Sequence, residues 1–265
     1  MPQIPFMFAI PFGARCVTLD WDRACASLVC TLRSVLNQSD SDFYVGVCCH
    51  DIPVLPADIR DRVNIVEADF PPPTERSKYG DDKRRKKEKL ARILAELGGG
   101  YYFGLDCDDL VCCDLVAYAR EEGDANGYLI EAGYAFDEKA NNLAPIPGVP
   151  GTWQGRPLHQ VCGSCAILNL SPSELPGGEL FGRNEGLFLQ LKQHGRYGVD
   201  AVAIGRPLKP ISFPAVVYVL NTGNNVSYTV SRDLAQQARI HSDIARSAVP
   251  VSRELAEQFG LSPTE

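Results

Sequence analysis

The apolar positions keep two rhythms that alternate along the first half of the chain. "IPFMFAI" (residues 4–10) is an almost unbroken apolar run and predicts a buried first strand, which Pro11 and Gly13 turn away so that Arg15 emerges. In "CASLVCTLRSVL" (Cys25 to Leu36), Leu28, Leu32, Val35 and Leu36 recur at helical spacing and predict an amphipathic helix. After the loop "QSDSD", "FYVGVCCH" (Phe43 to His50) reads as a parallel strand covered on both faces, ending at His50-Asp51. "VNIVEADF" predicts a third, shorter strand and "PPPTERSKYG" a proline-started loop. In "DDKRRKKEKLARILAEL", Leu90, Ile93, Leu94 and Leu97 share one helical face; Asp81 or Asp82 can cap its start, and Gly98 to Gly100 stop it. "YYFGLDCDD" is then a fourth strand with its C-terminal edge, and "DLVAYAREEG" another helix. This alternation predicts an α/β fold: a mostly parallel, Rossmann-like sheet with helices on both faces.

The second half is less regular and predicts an antiparallel portion. "GYLIEAGYAFDE" alternates like an antiparallel pair, and a Pro/Gly/Asn-rich loop from roughly Asn141 to Gly155 carries Trp153. "VCGSCAILNL" reads as a strand, "NEGLFLQLKQHG" as a helix, and "GVDAVAIG" and "AVVYVLNTG" as strands. From about Ser231 the chain predicts polar helices wrapping the core. The expected organisation is one domain over 1–230, with a first half over 1–116 and a second over 117–230, followed by a helical segment over 231–265. No internal repeat or low-complexity tract interrupts it.

Charge and composition narrow the chemistry. The 265 residues carry a formal net charge of -7, which excludes nucleic-acid binding through a broad basic face. Any anion must be captured locally. The 10 cysteines include the pairs Cys48-Cys49 and Cys112-Cys113 and a lone CxxC, Cys162 to Cys165. None repeats at metal-finger spacing, so free, buried thiols in a reducing cytosol are expected. "MPQIPFMFAIPFGAR" is broken by prolines and lacks a basic leader, and no run spans a bilayer. The expected location is the cytoplasm, in solution or peripheral at the inner face of the membrane.

Two charged features stand out against this background. "YYFGLDCDDLV" places Asp106, Asp108 and Asp109 directly after a buried strand, at the edge where open parallel sheets bind ligands. Asp106 and Asp108 alternate on extended chain, so both carboxylates can point one way. Holding them together unpaired raises one pKa, and a hard dication such as Mn2+ or Mg2+ removes the conflict. Capping of a following helix, "DLVCCDLVAY", would account for one Asp, Asp109, but not for three. The basic run "KRRKKEK" sits near a helix start, where the dipole disfavours cations and a bound diphosphate would offset the cost; Lys83, Arg84 and Lys87 are its candidate partners. His194 and His50 read as a helix-end and a turn residue, and Asn221, Asn224 and Asn225 as turn formers.

Together these segments resemble family 2 glycosyltransferases. "AIPFGARC" resembles the family's first strand and turn, with Ala14 where Asn is usual, and "LVCTLRSVLNQSDSDFYVGVCCHD" resembles its first helix and second strand. "YYFGLDCDDLV" resembles the D-x-D strand end, and "NEGLFLQLKQHG" is similar to the acidic late helix. The resemblance covers residues 4–116 best. It implies the GT-A fold of nucleotide-diphospho-sugar transferases, a UDP-, GDP- or dTDP-linked sugar donor, and Mn2+ or Mg2+ held by Asp106 and Asp108. Phe12, Gly13 and Arg15 would sit at the nucleotide, Asp51 would recognise the base, and Asp106 would face the ribose or a metal-bound water. Transfer of a hexosyl or deoxyhexosyl group to a hydroxyl of a glycan or lipid-linked acceptor is implied, with inversion at the sugar. The base would be Glu185, since Asn184-Glu185 replaces the usual Glu-Asp. Trp153 is a candidate for stacking on the acceptor. The two rival expectations are a sugar-phosphate nucleotidyltransferase, against which "PFGARC" is too poor in Gly and Lys, and a non-catalytic nucleotide- or glycan-binding relative.

Overall fold

The computed structural model describes residues 4–225 and 233–262. Val226 and Ser227, at the end of the Asn-rich stretch, and Ser231, at the expected start of the C-terminal segment, lie outside the described residues. So does the expected boundary at 230/231.

Eleven strands are described: β1 (Phe6–Pro11), β2 (Tyr44–Cys49), β3 (Asn64–Glu67), β4 (Gly100–Gly104), β5 (Leu110–Val111), β6 (Gly127–Leu129), β7 (Gly133–Asp137), β8 (Asn142–Ile146), β9 (Ala166–Leu170), β10 (Lys209–Pro210) and β11 (Val216–Leu220). The helices are α1 (Trp21–Leu36), α2 (Ala57–Arg60), α3 (Tyr79–Glu96), α4 (Leu115–Glu122), α5 (Glu179–Gly182), α6 (Leu187–Gln190), α7 (Tyr197–Ala203), α8 (Leu234–Arg246) and α9 (Arg253–Phe259).

The fold is mixed α/β. Its main sheet has seven strands in the order β10-β6-β9-β4-β1-β2-β3. β1 runs parallel to both β2 and β4, and β2 parallel to β3. β9 is inserted antiparallel between β4 and β6. β1 is buried along its whole length, as its unbroken apolar run requires. One core lies on the α1 side of the sheet, around Phe6, Phe8, Leu28 and Leu32; the other lies on the α3 side, around Met7, Leu90, Leu94 and Leu168. A second sheet, β5-β11-β7-β8, packs with Phe259 of α9.

The expected elements of the first half are present within a few residues. The second half departs in several places. "GVDAVAIG" is not a strand but the helix α7, and "NEGLFLQLKQHG" is not one helix but a single turn, α6, and a 3-10 turn at His194–Arg196. The two halves of "GYLIEAGYAFDE" do not pair with each other. β6 pairs with β9 and β7 with β8, because Ile130 to Ala132 carries the chain between the sheets. The loop expected from Asn141 to Gly155 contains β8. Asp81 and Asp82 do not cap α3, which begins earlier, at Tyr79. Asp109 caps nothing: no helix starts there, and α4 follows Asp114. All ten cysteines are free, but Cys16 and Cys30 are exposed rather than buried. Among the described residues no helix is long and apolar enough to cross a membrane.

Candidate functional site

The parallel strands deliver their C-terminal ends to one edge, and a cavity of about 260 Å³ opens there. It is lined by Phe12 and Gly13 after β1, Tyr79 and Lys83 of α3, Asp106 to Asp108 after β4, Gly163, His194, and Asn224 and Asn225 after β11. A second, larger cavity of about 600 Å³ lies on the α3 side, and the two share Lys83, Gly163 and His194.

The acidic loop is braced from behind. Asp109 is fully buried, accepting from the Ser164 hydroxyl at 2.6 Å and the Val219 amide at 3.1 Å. The same Ser164 Oγ accepts from the Asp106 amide at 2.9 Å. "CGSC" therefore acts as a clamp on the loop, with the Cys162 thiol also donating to Asp109 Oδ2 at 3.2 Å. Gly163 leaves the space this needs, since a Cβ there would lie 3.1 Å from Asp106 Oδ2. Asn225 donates to Asp108 Oδ2 and to the Val219 carbonyl, both at 2.9 Å. Asn225 thus does more than form its turn.

Each of the three carboxyls is in a different electrostatic state. Burial alone would raise Asp106, but Lys83, Lys87 and His194 outweigh it and hold Asp106 below the usual carboxylate range. Lys83 lies 2.5 Å from Asp106 Oδ1. Burial and the Asp106 charge push Asp108 up to about 7. Burial, Asp108 and Asp106 push Asp109 well above its ordinary value. One positive charge is already spent on Asp106, and a second is needed to ionise Asp108 fully.

The base of α3 is anchored by a buried charge network that begins inside the basic run. Lys86 is fully buried, donating to Asp82 Oδ2 at 2.6 Å and to the Phe12 carbonyl at 2.7 Å. His50 Nε2 donates to Asp82 Oδ1 at 2.7 Å. This network locks α3 to the turn after β1 and to the end of β2. The basic run is thus divided: Lys86 is structural, Lys83 meets Asp106, and Arg84 pairs with Glu88 at 2.5 Å. Arg84 and Lys87 line only the second cavity.

Of the residues singled out from sequence, Phe12, Gly13, Lys83, Asp106 and Asp108 come together at the first cavity. Arg15 and Asp51 are joined to each other, the Arg15 amide donating to Asp51 Oδ2 at 2.8 Å, but neither lines that cavity. The Arg15 guanidinium lies 5.8 Å over the Trp21 ring. Glu185 is exposed, between Asn184 and Gly186 with their positive φ, and lines neither cavity. Trp153 also lines neither. Its ring stacks 6.1 Å from that of Tyr218, and its amide donates to Asp243.

Sequence reasoning missed the importance of His194. Its Nδ1 donates to the His159 carbonyl at 2.6 Å, which fixes the ring and leaves Nε2 with the lone pair in the neutral form. Tyr79, Arg76 and Ser164 were also missed; nothing in their local sequence marks them. Arg76 donates to the Val17 and Asn224 carbonyls and so ties the rim together.

As a donor set, Asp106 and Asp108 offer hard oxygens, and Asp106 Oδ1 is buried without a well-directed hydrogen bond. That chemistry fits Mn2+ or Mg2+ with positions left for phosphate oxygens. Among the described residues the one trio of ligand-type side chains that converges lies elsewhere, at Cys112, Cys113 and Asp114.

No family model matches this chain, and no curated protein matches it. Among solved structures, a crystal structure of S. aureus TarS aligns with 92% of this chain at 11% identity and a TM-score of 0.47. The chain spans 43% of the length of that structure.

Proposed function

We propose that the protein is a glycosyltransferase. A nucleoside-diphosphate sugar binds in the first cavity, and an acceptor hydroxyl approaches through the second. The observation that carries this reading is the acidic loop itself. Asp106 and Asp108 line a cavity at the C-terminal edge of a parallel sheet, beside Lys83 and the start of α3. Carboxylates alone would repel a diphosphate. Carboxylates that hold a dication, next to a lysine and a helix N-terminus, attract one.

Asp106 and Asp108 would hold Mn2+ or Mg2+, which when bound supplies charge to the leaving diphosphate. The remaining roles belong to the chain. Phe12 and Gly13 form the wall for the nucleoside, and Lys83 stabilises phosphate charge as the glycosidic bond breaks. Asn225 fixes the orientation of the Asp108 carboxyl. The proton of the acceptor hydroxyl needs a base, and we assign it to His194 Nε2 rather than to the exposed Glu185. His194 lines both cavities, so it sits where donor and acceptor would meet. Its Nδ1–H···O=C bond to His159 sets the tautomer for that role.

The test is donor cleavage: release of nucleoside diphosphate from a panel of UDP-, GDP- and dTDP-sugars with Mn2+ present. Release from donors of one base, abolished by Asp108→Asn, supports the reading. No release from any donor, with nucleoside diphosphate still bound, would favour a non-catalytic binder, the alternative that the position of Glu185 outside both cavities suggests.

A further inference from the structure

The second cavity differs in character from the first. Its floor is apolar and rigid: Tyr102 of β4 and Leu168 of β9 are register partners, and Phe188 meets the Tyr102 ring edge-on at 5.4 Å. Its rim carries Lys83, Arg84, Lys87 and Lys192 against one carboxylate, Glu88. Two of these cations are already neutralised, Lys83 by Asp106 and Arg84 by Glu88. Lys87 and Lys192 are not: among the described residues neither ammonium has a hydrogen-bond or ion-pair partner.

Lys87 is placed with care. Its ammonium lies over Gly104 at the end of β4, where a Cβ would come within 3.0 Å of Nζ. Glycine at that position opens the path by which the lysine reaches the cavity. An unpaired cation beside an apolar floor is unfavourable in the free protein, and burial followed by the Lys83 charge lowers the Lys87 pKa to about 8. The carboxylate that favours the Lys87 charge, Asp106, is already held by Lys83 at 2.5 Å, and among the described residues no carboxylate pairs with Lys87 directly. The partner that satisfies this arrangement is an anion with an apolar neighbour.

We infer that the second cavity binds an anionic acceptor, with an oxyanion group at Lys87 and Lys192 and an apolar or aromatic portion against Tyr102, Leu168 and Phe188. The role of acceptor rests on the transferase reading above, whereas the binding of such an anion does not. Lys87 then serves the acceptor and not the donor diphosphate, and the shared wall of Lys83, Gly163 and His194 is where the two substrates meet.

The test uses phenyl phosphate as probe, with inorganic phosphate and phenol as controls, by calorimetric titration of the full chain with and without saturating nucleoside diphosphate and Mn2+. Phenyl phosphate is expected to bind at least tenfold more tightly than either control and to bind equally when nucleotide fills the first cavity. Lys87→Met is expected to weaken phenyl phosphate at least tenfold and to leave nucleoside-diphosphate affinity unchanged; each tenfold step corresponds to about 1.4 kcal/mol. Lys192→Met, on the exposed rim, provides a second variant with no buried group removed, and a smaller loss is expected. Three results would overturn the inference: displacement of phenyl phosphate by nucleoside diphosphate, equal binding of inorganic phosphate, or a Lys87→Met effect confined to the nucleotide. If phenyl phosphate binds through Lys87 while no nucleotide binds, the anion site stands and the transferase reading fails.

Discussion

At the residue scale, the unpaired Lys87 makes a prediction that needs no ligand. Its pKa is held near 8, below the ordinary lysine value of 10.5, by burial and then by Lys83. Between those two values the unfolded chain binds more protons at this site than the folded one, so this group makes stability rise with pH through that window. Below the window its cost is present in full. Lys87→Met should therefore melt higher than the parent at pH 7, and the advantage should shrink as pH rises from 8 to 10.5. Equal melting temperatures at pH 7 would show that the cation is well solvated. A destabilising lysine kept at a cavity is the expected trade between stability and binding. His194 makes the complementary prediction for turnover. His194→Ala should lower kcat by about 10²–10⁴-fold with little change in donor KM, and added imidazole should restore part of the rate. A variant with full kcat, or one that imidazole leaves unchanged, would remove His194 from the proton transfer.

At the element scale, α3 matters most, because it carries Lys83 to one cavity and Lys87 to the other. The Lys86–Asp82–His50 network holds it in register with the turn after β1. Removing Lys86 would leave Asp82 buried with one partner fewer. Lys86→Met should cost about 3–5 kcal/mol in a denaturant titration, far beyond any surface lysine of the same run. Much of this element was legible, since Leu90, Ile93 and Leu94 set its face, but the roles within "KRRKKEK" were not. Periodicity says which side of a helix is buried; it does not say that one lysine on that side finds an acid four residues earlier. β1, β2 and β4 were legible because fully covered parallel strands leave uninterrupted apolar runs. Residues 197–203 were not, because Val199 and Val202 favour strands by composition and yet are exposed. The available signal was Gly205. With φ +73, it lets the Gly205 amide reach the Val202 carbonyl and the Arg206 amide the Ala201 carbonyl, a helix C-terminal motif. Residues 184–195 were misread for a related reason. The Leu187 amide donates to Glu174 at 3.0 Å, and Leu191 leaves helical geometry after a single turn. That distant contact has no trace in the local pattern.

At the scale of the whole molecule, the acidic chain sets two unpaired lysines, Lys87 and Lys192, beside one cavity and its conflicting carboxylates, Asp106 and Asp108, beside the other. The D-x-D loop was visible in the sequence because it breaks an apolar strand. The clamp that holds it was not visible, because Ser164 and Asn225 reach it from the loop before β9 and the turn after β11, at separations of 55 and 117 residues. Ser164→Ala should leave the buried Asp109 short of a donor, cost about 1–3 kcal/mol, and loosen nucleotide binding in the same preparation. Unchanged nucleotide affinity would mean that the loop keeps its shape without the clamp.

The central proposition is that Asp106 and Asp108 bind a dication and, through it, a pyrophosphate. A thermal-shift panel of UDP, GDP and dTDP, with and without Mn2+, on the parent protein and on Asp108→Asn tests it most directly. One base should raise the melting temperature only when Mn2+ is present, and Asp108→Asn should abolish that shift. Equal shifts for every base, shifts independent of Mn2+, or a full shift in Asp108→Asn would contradict it.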